Sequence, residues 1–392
     1  MVHSEKQTIR KLLIVISDVN RGGLLTSIIQ KLHLEQIELN IVIISEFSPE
    51  ICRELNDLEI SCEVWNRSTK SQYLLLFLRS LWMLLRLRPK TIFASGQLAT
   101  AIIIPASFLT RVKNRIFVRH HSDLHHIEQQ SRLRHIRARY IDYLNNTLAT
   151  KIVAVSLVVQ EIMVTQERVK QGKIVVIHNG IDFRAFTTNR KQKSQSLQFS
   201  AKTRYPIFGV VSRLTNWKGV EYTALAFCEF LKTHPSAFLL IIGAHGDSYP
   251  RVREILSTID SDSYEFRQQD LAIASTFDCF DAFVHVPTRP NAEAFGLVYL
   301  EAIQKNIPSI FSRSGILMEI EDPGANFFMV PYCDSNAILN SMLDIFQRDV
   351  VKHDINPEWL KQFSLEVMNS KYFDLLGFSG DMEMNGTIES SQ

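Results

Sequence analysis

Two short segments carry residue types that do chemistry together. In RLTNWKG, Arg213 and Lys218 put two flexible cations in a loop between an apolar run, IFGVV, and a helix-period stretch, VEYTALAFCEFLK. Free N–H groups and the positive end of the helix dipole favour phosphate at such a place, and the two cations add to that preference. Two solvated loop cations would read the same way. In NAEAFGLVYLEAIQKNIPSIF, Glu293 lies in a loop that turns through Gly296 into a helix carrying Glu301. Carboxylates in the loop and on the second helical turn flank the helix N-terminus. Both can accept hydrogen bonds from hydroxyls of a ligand whose phosphate rests on the backbone amides, as in a sugar nucleotide. Glu301 and Lys305, spaced i,i+4, equally fit a surface ion pair, and periodicity does not choose between these readings.

Each segment follows a strand in a repeating pattern. Apolar runs of about five residues alternate with longer helix-period segments, as when parallel strands are buried beneath helices on both faces. Strands are expected at 12–16, 41–44, 62–65, 91–94, 115–118, 151–155 and 173–177, then at 207–211, 238–242, 264–267, 282–286, 308–311 and 327–330. Between the two series the chain passes a turn-like NGID and becomes polar from Thr187 to Arg204. The expected class is α/β, with two doubly wound domains at 1–190 and 205–360 joined by a linker at 191–204. A helix at 361–378 is expected to return to the first domain, followed by a disordered tail at 379–392. Open α/β sheets bind ligands at the carboxyl ends of their strands, so two such domains facing each other would enclose a cleft.

Composition sets the outer limits. A chain of 392 residues is too long for one hydrophobic core. With 43 Lys and Arg against 41 Asp and Glu, no overall field points to nucleic acid. The five cysteines are odd in number and include no C-x-x-C pair, which argues against a disulfide framework or a zinc knuckle and for a reducing compartment. The opening MVHSEKQTIRK is followed only by LLIVIS, too short for a signal peptide or a span. The stretches from Tyr73 and Leu98 are interrupted by Arg79 and Arg86 or are too short to cross a bilayer. A cytoplasmic protein is expected, and the N-x-T matches at Asn145 and Asn385 then read as chance.

Several landmarks occur in a fixed order: Gly22-Gly23 after the first strand, VAVS ending at Ser156, VIHNGID from Val176, VVSRLTNWKG, IIGAHG from Ile241, EAFGLVYLE and SRSGILMEI. In this the chain resembles the retaining GT-B glycosyltransferases of family 4, the glycosyl transferases group 1. The resemblance implies two Rossmann-like domains facing a cleft and transfer of a hexosyl or N-acetylhexosaminyl group from a nucleotide-diphosphate sugar. The acceptor would be a glycan or lipid-linked hydroxyl in surface polysaccharide or glycoconjugate synthesis. By the same resemblance Arg213 and Lys218 hold the donor diphosphate, and Glu293 bonds the sugar hydroxyls beside the amides of Phe295, Gly296 and Leu297. Glu301 holds the ribose, Gly22 and Gly23 let the first loop approach the phosphate, and His121 contacts the donor sugar, with His120 as the alternative. No metal and no cofactor are implied, and no general base, because the leaving phosphate takes the acceptor's proton. One departure concerns the SRSGILMEI loop, where relatives carry paired glycines and this chain has Gly315 followed by Ile316. Ser212 and the AIQKN that follows Glu301 also depart, and read as packing changes.

Three clusters remain. VRHHSDLHHIEQQSRLRHIRARY holds five histidines among five arginines. It reads as a solvated basic helix with one functional histidine, as a cradle for an anionic lipid-linked acceptor, or as a metal site on His121 and His125, which lacks an H-E-x-x-H or cysteine partner. The segment from Tyr73 to Arg88 either packs on its sheet or makes peripheral contact with the inner membrane surface. Asp260 and Asp262 form a D-x-D in a polar turn and are read as chance. A dinucleotide-dependent oxidoreductase is poorly supported because no G-x-G-x-x-G follows either first strand. A nucleotide-sugar 2-epimerase and a catalytically idle sugar-nucleotide-binding subunit are the rival functions, since fold does not fix function.

Overall fold

Buried β-branched and leucine-rich runs become strands in both halves of the chain. The computed structural model describes residues 11–17, 23–45, 50–66, 72–122, 132–184, 204–268, 276–322, 324, 326–347 and 358–378. These divide into two compact units, residues up to Gly180 together with those from Leu365 onward, and Ile181–Ser364. The expected linker at 191–204 lies outside the described residues except for Arg204, as do Gly22, His125, His126, Asn385 and the tail from 379.

In the first unit, strands β1 (Leu12–Ser17), β2 (Leu39–Ser45), β3 (Glu63–Asn66), β4 (Thr91–Ser95), β5 (Asn114–Arg119), β6 (Lys151–Ala154) and β7 (Ile174–Val176) form one sheet in the order β3-β2-β1-β4-β5-β6-β7. Every pairing is parallel, with Leu12 opposite both Leu39 and Thr91. The connecting helices are α1 (Gly23–Leu34), α2 (Glu50–Asp57), α3 (Gln72–Leu87), α4 (Gln97–Leu109), α5 (Arg132–Leu148) and α6 (Leu157–Thr165). Ser156 starts α6 as its N-cap, its hydroxyl accepting from the Val159 amide at 3.2 Å.

In the second unit, β8 (Ile207–Val211), β9 (Phe238–Ile242), β10 (Tyr264–Arg267), β11 (Ala282–His285), β12 (Ser309–Phe311) and β13 (Phe327–Met329) order as β10-β9-β8-β11-β12-β13, again all parallel. Counted within the unit this is 3-2-1-4-5-6, the doubly wound Rossmann order, with its reversal between β8 and β11. The helices are α7 (Val220–Thr233), α8 (Tyr249–Leu256), α9 (Leu297–Gln304) and α10 (Ser335–Gln347). Phe208 at the centre is fully buried and meets Phe230, Phe346 and Phe227 edge-on at 5.1, 5.5 and 6.1 Å between ring centres. Each such pair adds about 0.5–1.5 kcal/mol beyond its buried area, which fixes α7 and α10 on this sheet.

A last helix, α11 (Leu365–Leu376), belongs to the first unit. It packs against α1 through a 2.7 Å hydrogen bond from Asn369 to Ser27 and against β4 through an edge contact of Tyr372 on Phe93 at 5.6 Å. α3 buries Leu76, Ser80, Met83 and Leu84 and leaves Leu74, Leu75, Leu78, Trp82 and Leu85 exposed. Among the described residues no helix is long and apolar enough to cross a membrane. Asn145 is buried within α5 and Asp260 caps a short turn by accepting from the Asp262 amide, which accounts locally for the first sequon and for the D-x-D.

Candidate active site

The reversal point of the second sheet lies between β8 and β11, and the residues that follow these two strands meet. The chain leaves β8 through Ser212 and Arg213 and is tied down by Leu214, which is fully buried. Its amide donates to the His245 carbonyl at 2.8 Å and its carbonyl accepts from the Ser248 amide at 2.9 Å. That anchor leaves Arg213 exposed. Residues Asn216–Lys218 then make one 3₁₀ turn before α7. Gly219 joins the two at φ +69°, and a Cβ there would lie 2.1 Å from the Val286 carbonyl oxygen, so only glycine lets this loop press against the end of β11.

From the other side, β11 ends in His285 and the following loop carries Glu293. The Glu293 carboxylate is 6% exposed and accepts from Lys218 Nζ through Oε1, which also lies 2.8 Å from His285 Nε2. Its amide donates to Ser314 Oγ at 2.9 Å, and that hydroxyl donates to the Pro290 carbonyl at 3.0 Å. Trp217 lies beneath the cations, its ring centre 4.3 Å from Lys218 Nζ and 5.9 Å from the Arg213 guanidinium carbon.

Burial alone would push the Glu293 carboxyl up, but the Lys218 charge and the His285 hydrogen bond overcome it and hold the group at about 2. Burial pulls the Lys218 ammonium below its usual value; the Glu293 carboxylate opposes that and the Arg213 cation adds to it. His285 is also pulled down by burial, against Glu293. A carboxyl held ionised in this way is a hydrogen-bond acceptor, a weak base and no proton donor near neutrality.

The other expected donor-site positions are close by in the fold. Phe295 is buried against Phe363, with 6.1 Å between ring centres, and its carbonyl accepts from the Ile316 amide at 2.8 Å. Gly296 is the N-cap of α9, Leu297 is its first residue and Glu301 lies on its second turn, partly buried. Lys305, whose spacing suggested a surface pair with Glu301, donates to Asp278 at 2.7 Å with both side chains buried. Gly315, the single glycine of the departing loop, has φ +56°, and a Cβ there would lie 2.5 Å from the Phe295 carbonyl oxygen and 2.8 Å from Glu293 Cβ. This loop therefore seats Glu293 directly.

The first unit holds His120 and His121 just past the end of β5. Ser95 Oγ lies 2.9 Å from His120 Nε2, and the His121 carbonyl accepts from Arg119 at 3.2 Å. Arg119 is buried and bridges Asp142 at 3.2 Å and Glu167 at 2.6 Å. Gly23 opens α1, and Gly22 lies outside the described residues.

His285 and Ser314 were missed by sequence reasoning. A histidine at the end of the otherwise apolar AFVH run is the signal that marks the first, since a buried imidazole needs a partner. Ser314 carries no comparable signal. Among the described residues no three His, Cys, Asp or Glu side chains gather as a metal set.

Residues 191–357 match the family described as Glycosyl transferases group 1, and residues 29–184 match Glycosyltransferase Family 4. An uncharacterised glycosyltransferase of Methanocaldococcus jannaschii is 27% identical over 192 residues, a match spanning 46% of this chain and 46% of that relative. The Anabaena protein HepE, solved with UDP-glucose, superposes with a TM-score of 0.75 at 20% identity, over 93% of this chain and 99% of that one. A UDP-GlcNAc 2-epimerase, also of M. jannaschii, superposes at 0.60 with 12% identity, over 93% and 99% of the two chains.

Proposed function

Since the chain belongs to the group 1 glycosyltransferases of GT-B fold, we propose that it is a retaining, metal-independent enzyme moving a sugar from a nucleotide-diphosphate donor to a glycan or lipid-linked hydroxyl. The observation that carries this is the meeting of Arg213, Lys218 and Glu293 at the carboxyl ends of β8 and β11, where open α/β sheets take their ligands. HepE, of the same fold, was solved with UDP-glucose, which supports a nucleotide-sugar donor.

In this reading Arg213 and the remaining donors of Lys218 neutralise the diphosphate, most strongly as its bond to the sugar lengthens and charge builds on the leaving oxygen. That charge neutralisation is what a metal would otherwise supply. Glu293, held ionised, accepts from sugar hydroxyls, and Glu301 from the ribose. The family resemblance assigns the donor sugar to His121, or to His120 beside it, and the phosphate to the glycine pair that opens α1. The bond from the anomeric carbon to the diphosphate breaks while a bond to the acceptor oxygen forms on the same face, and the acceptor proton passes to the leaving phosphate. Work at the cytoplasmic face of a membrane, in polysaccharide or glycoconjugate synthesis, fits such an acceptor.

The test is release of nucleoside diphosphate from a panel of donors with and without acceptor, read together with the anomeric configuration of the product. Release only with acceptor, retention of configuration and insensitivity to EDTA are expected. Epimerised sugar formed without acceptor would replace transfer by 2-epimerase chemistry, and unchanged turnover in both Arg213→Ala and Lys218→Ala would remove the proposed site.

A further inference from the structure

A cavity of about 1060 Å³ opens in the first unit at the carboxyl ends of β1, β4 and β5, between α1, α3, α4 and α5. It is at the upper end of the roughly 300–1,000 Å³ usual for small-molecule sites. Much of its wall is hydrocarbon, from Leu25, Phe77, Ala101, Ile102, Phe117 and Ile141. Polar groups line it at the strand ends, where Ser95 faces His120 and His121 follows, and on the helices, from Thr100 of α4 and Arg137, Asp142 and Asn145 of α5.

The apolar lining continues outward. Leu74 of α3 lines the cavity and is itself exposed, and Leu75, Leu78, Trp82 and Leu85 carry the same surface along the helix, with Trp82 61% exposed. On α5, Ile136, Tyr140, Ile141 and Tyr143 are exposed as well. Arg137 and Arg139 are exposed on α5, Arg79 of α3 pairs with Glu63, and the sole acidic residue of α3, α4 and α5 is Asp142, engaged with buried Arg119. Large apolar patches rimmed by cations mark surfaces that meet anionic lipid.

We propose that this cavity holds the hydrocarbon chain of a phosphate-linked lipid acceptor drawn from an anionic membrane surface, with Arg137 serving its head-group phosphate. The proposal rests on the transfer function above and names the acceptor class for it.

The test uses the full chain and farnesyl phosphate as probe, followed by isothermal titration. Wild type is expected to bind farnesyl phosphate at least tenfold more tightly than farnesol or inorganic phosphate. Ala101→Trp, which fills the cavity, is expected to lose at least tenfold in affinity for it while UDP binding is unchanged. Leu74→Asp, at an exposed position, provides the same test without disturbing buried side chains. Wild-type affinity in both variants would overturn the proposal, as would a lipid-free saccharide used with the same kcat/KM as its lipid-linked form. Sedimentation with phosphatidylcholine vesicles, with and without phosphatidylglycerol, tests the source: capture only by the anionic vesicles, lost in Trp82→Asp, is expected, and no capture would overturn the membrane as supplier. Failure of wild type to bind UDP would instead strike the donor reading, which farnesyl phosphate binding does not address.

Discussion

Lys218 and Arg213 are given the same electrostatic task, yet the structure makes their removal unequal. Lys218 is paired with a carboxylate that is almost wholly buried, whereas Arg213 is exposed. Holding Glu293 at about 2 against an ordinary 4.5 corresponds to roughly 3 kcal/mol of stabilisation, in the range of about 3–5 kcal/mol for breaking a buried pair. In a unit of this size each kcal/mol moves Tm by about 2–4 °C, so Lys218→Ala should melt roughly 6–12 °C below wild type. Arg213→Ala, a surface change, should stay within about 0.5 kcal/mol of it. Both should lose turnover. Lys218→Met with Glu293→Gln removes both charges and should recover most of the stability but none of the activity. The pH dependence follows from the direction of the shift. Glu293 is depressed in the folded state, so its contribution is complete above about pH 4.5 and is lost as pH falls towards 2. His285, also depressed, adds loss in the same direction as pH falls below 6.5, because the unfolded chain takes up that proton first. In Lys218→Ala the acid-side slope between pH 4.5 and 2 should flatten. Calorimetry across this range decides the matter: equal melting of the two alanine variants, or an unaltered acid slope, would show that the Lys218–Glu293 pair does not form in solution.

Further outcomes follow from the same geometry. Trp217→Leu removes the ring beneath both cations and should weaken UDP binding by about 1 kcal/mol with little change in Tm, as titration calorimetry would report. Glu301→Ala should lower nucleotide affinity about tenfold, near 1.4 kcal/mol, while a nucleotide-free sugar phosphate is bound unchanged. Gly315→Ala places a Cβ 2.5 Å from the Phe295 carbonyl oxygen in a left-handed conformation, so a loss of about 1–3 kcal/mol and a raised KM for donor are expected.

The strands were legible because a parallel strand buried on both faces cannot alternate, and runs such as LLIVI and FLLII therefore stand out. The order in which they pair was not, since β8 and β11 become neighbours across seventy residues of intervening chain that carry no signal of it. The site shows the same division. Arg213, Lys218 and Glu293 were found as types at a spacing, but the capture of Lys218 by Glu293 depends on two loops meeting at the reversal of strand order. The i,i+4 spacing of Glu301 and Lys305 gave no sign that Asp278, distant in sequence, accepts from the lysine. Ser314 could not be read at all, because its value comes from presenting one hydroxyl between the Glu293 amide and the Pro290 carbonyl.

The contact between Gly219 and the Val286 carbonyl also limits how the second unit can breathe. The Thr288 amide donates to the Trp217 carbonyl at 3.0 Å two residues further along, so the loops after β8 and β11 are joined through their main chains as well as through Lys218 and Glu293. Neither can swing out alone without breaking that seam. In amide hydrogen exchange the Thr288 amide should therefore open together with the 213–219 segment as one cooperative unit, and nucleotide should slow exchange at Thr288 without having to touch it.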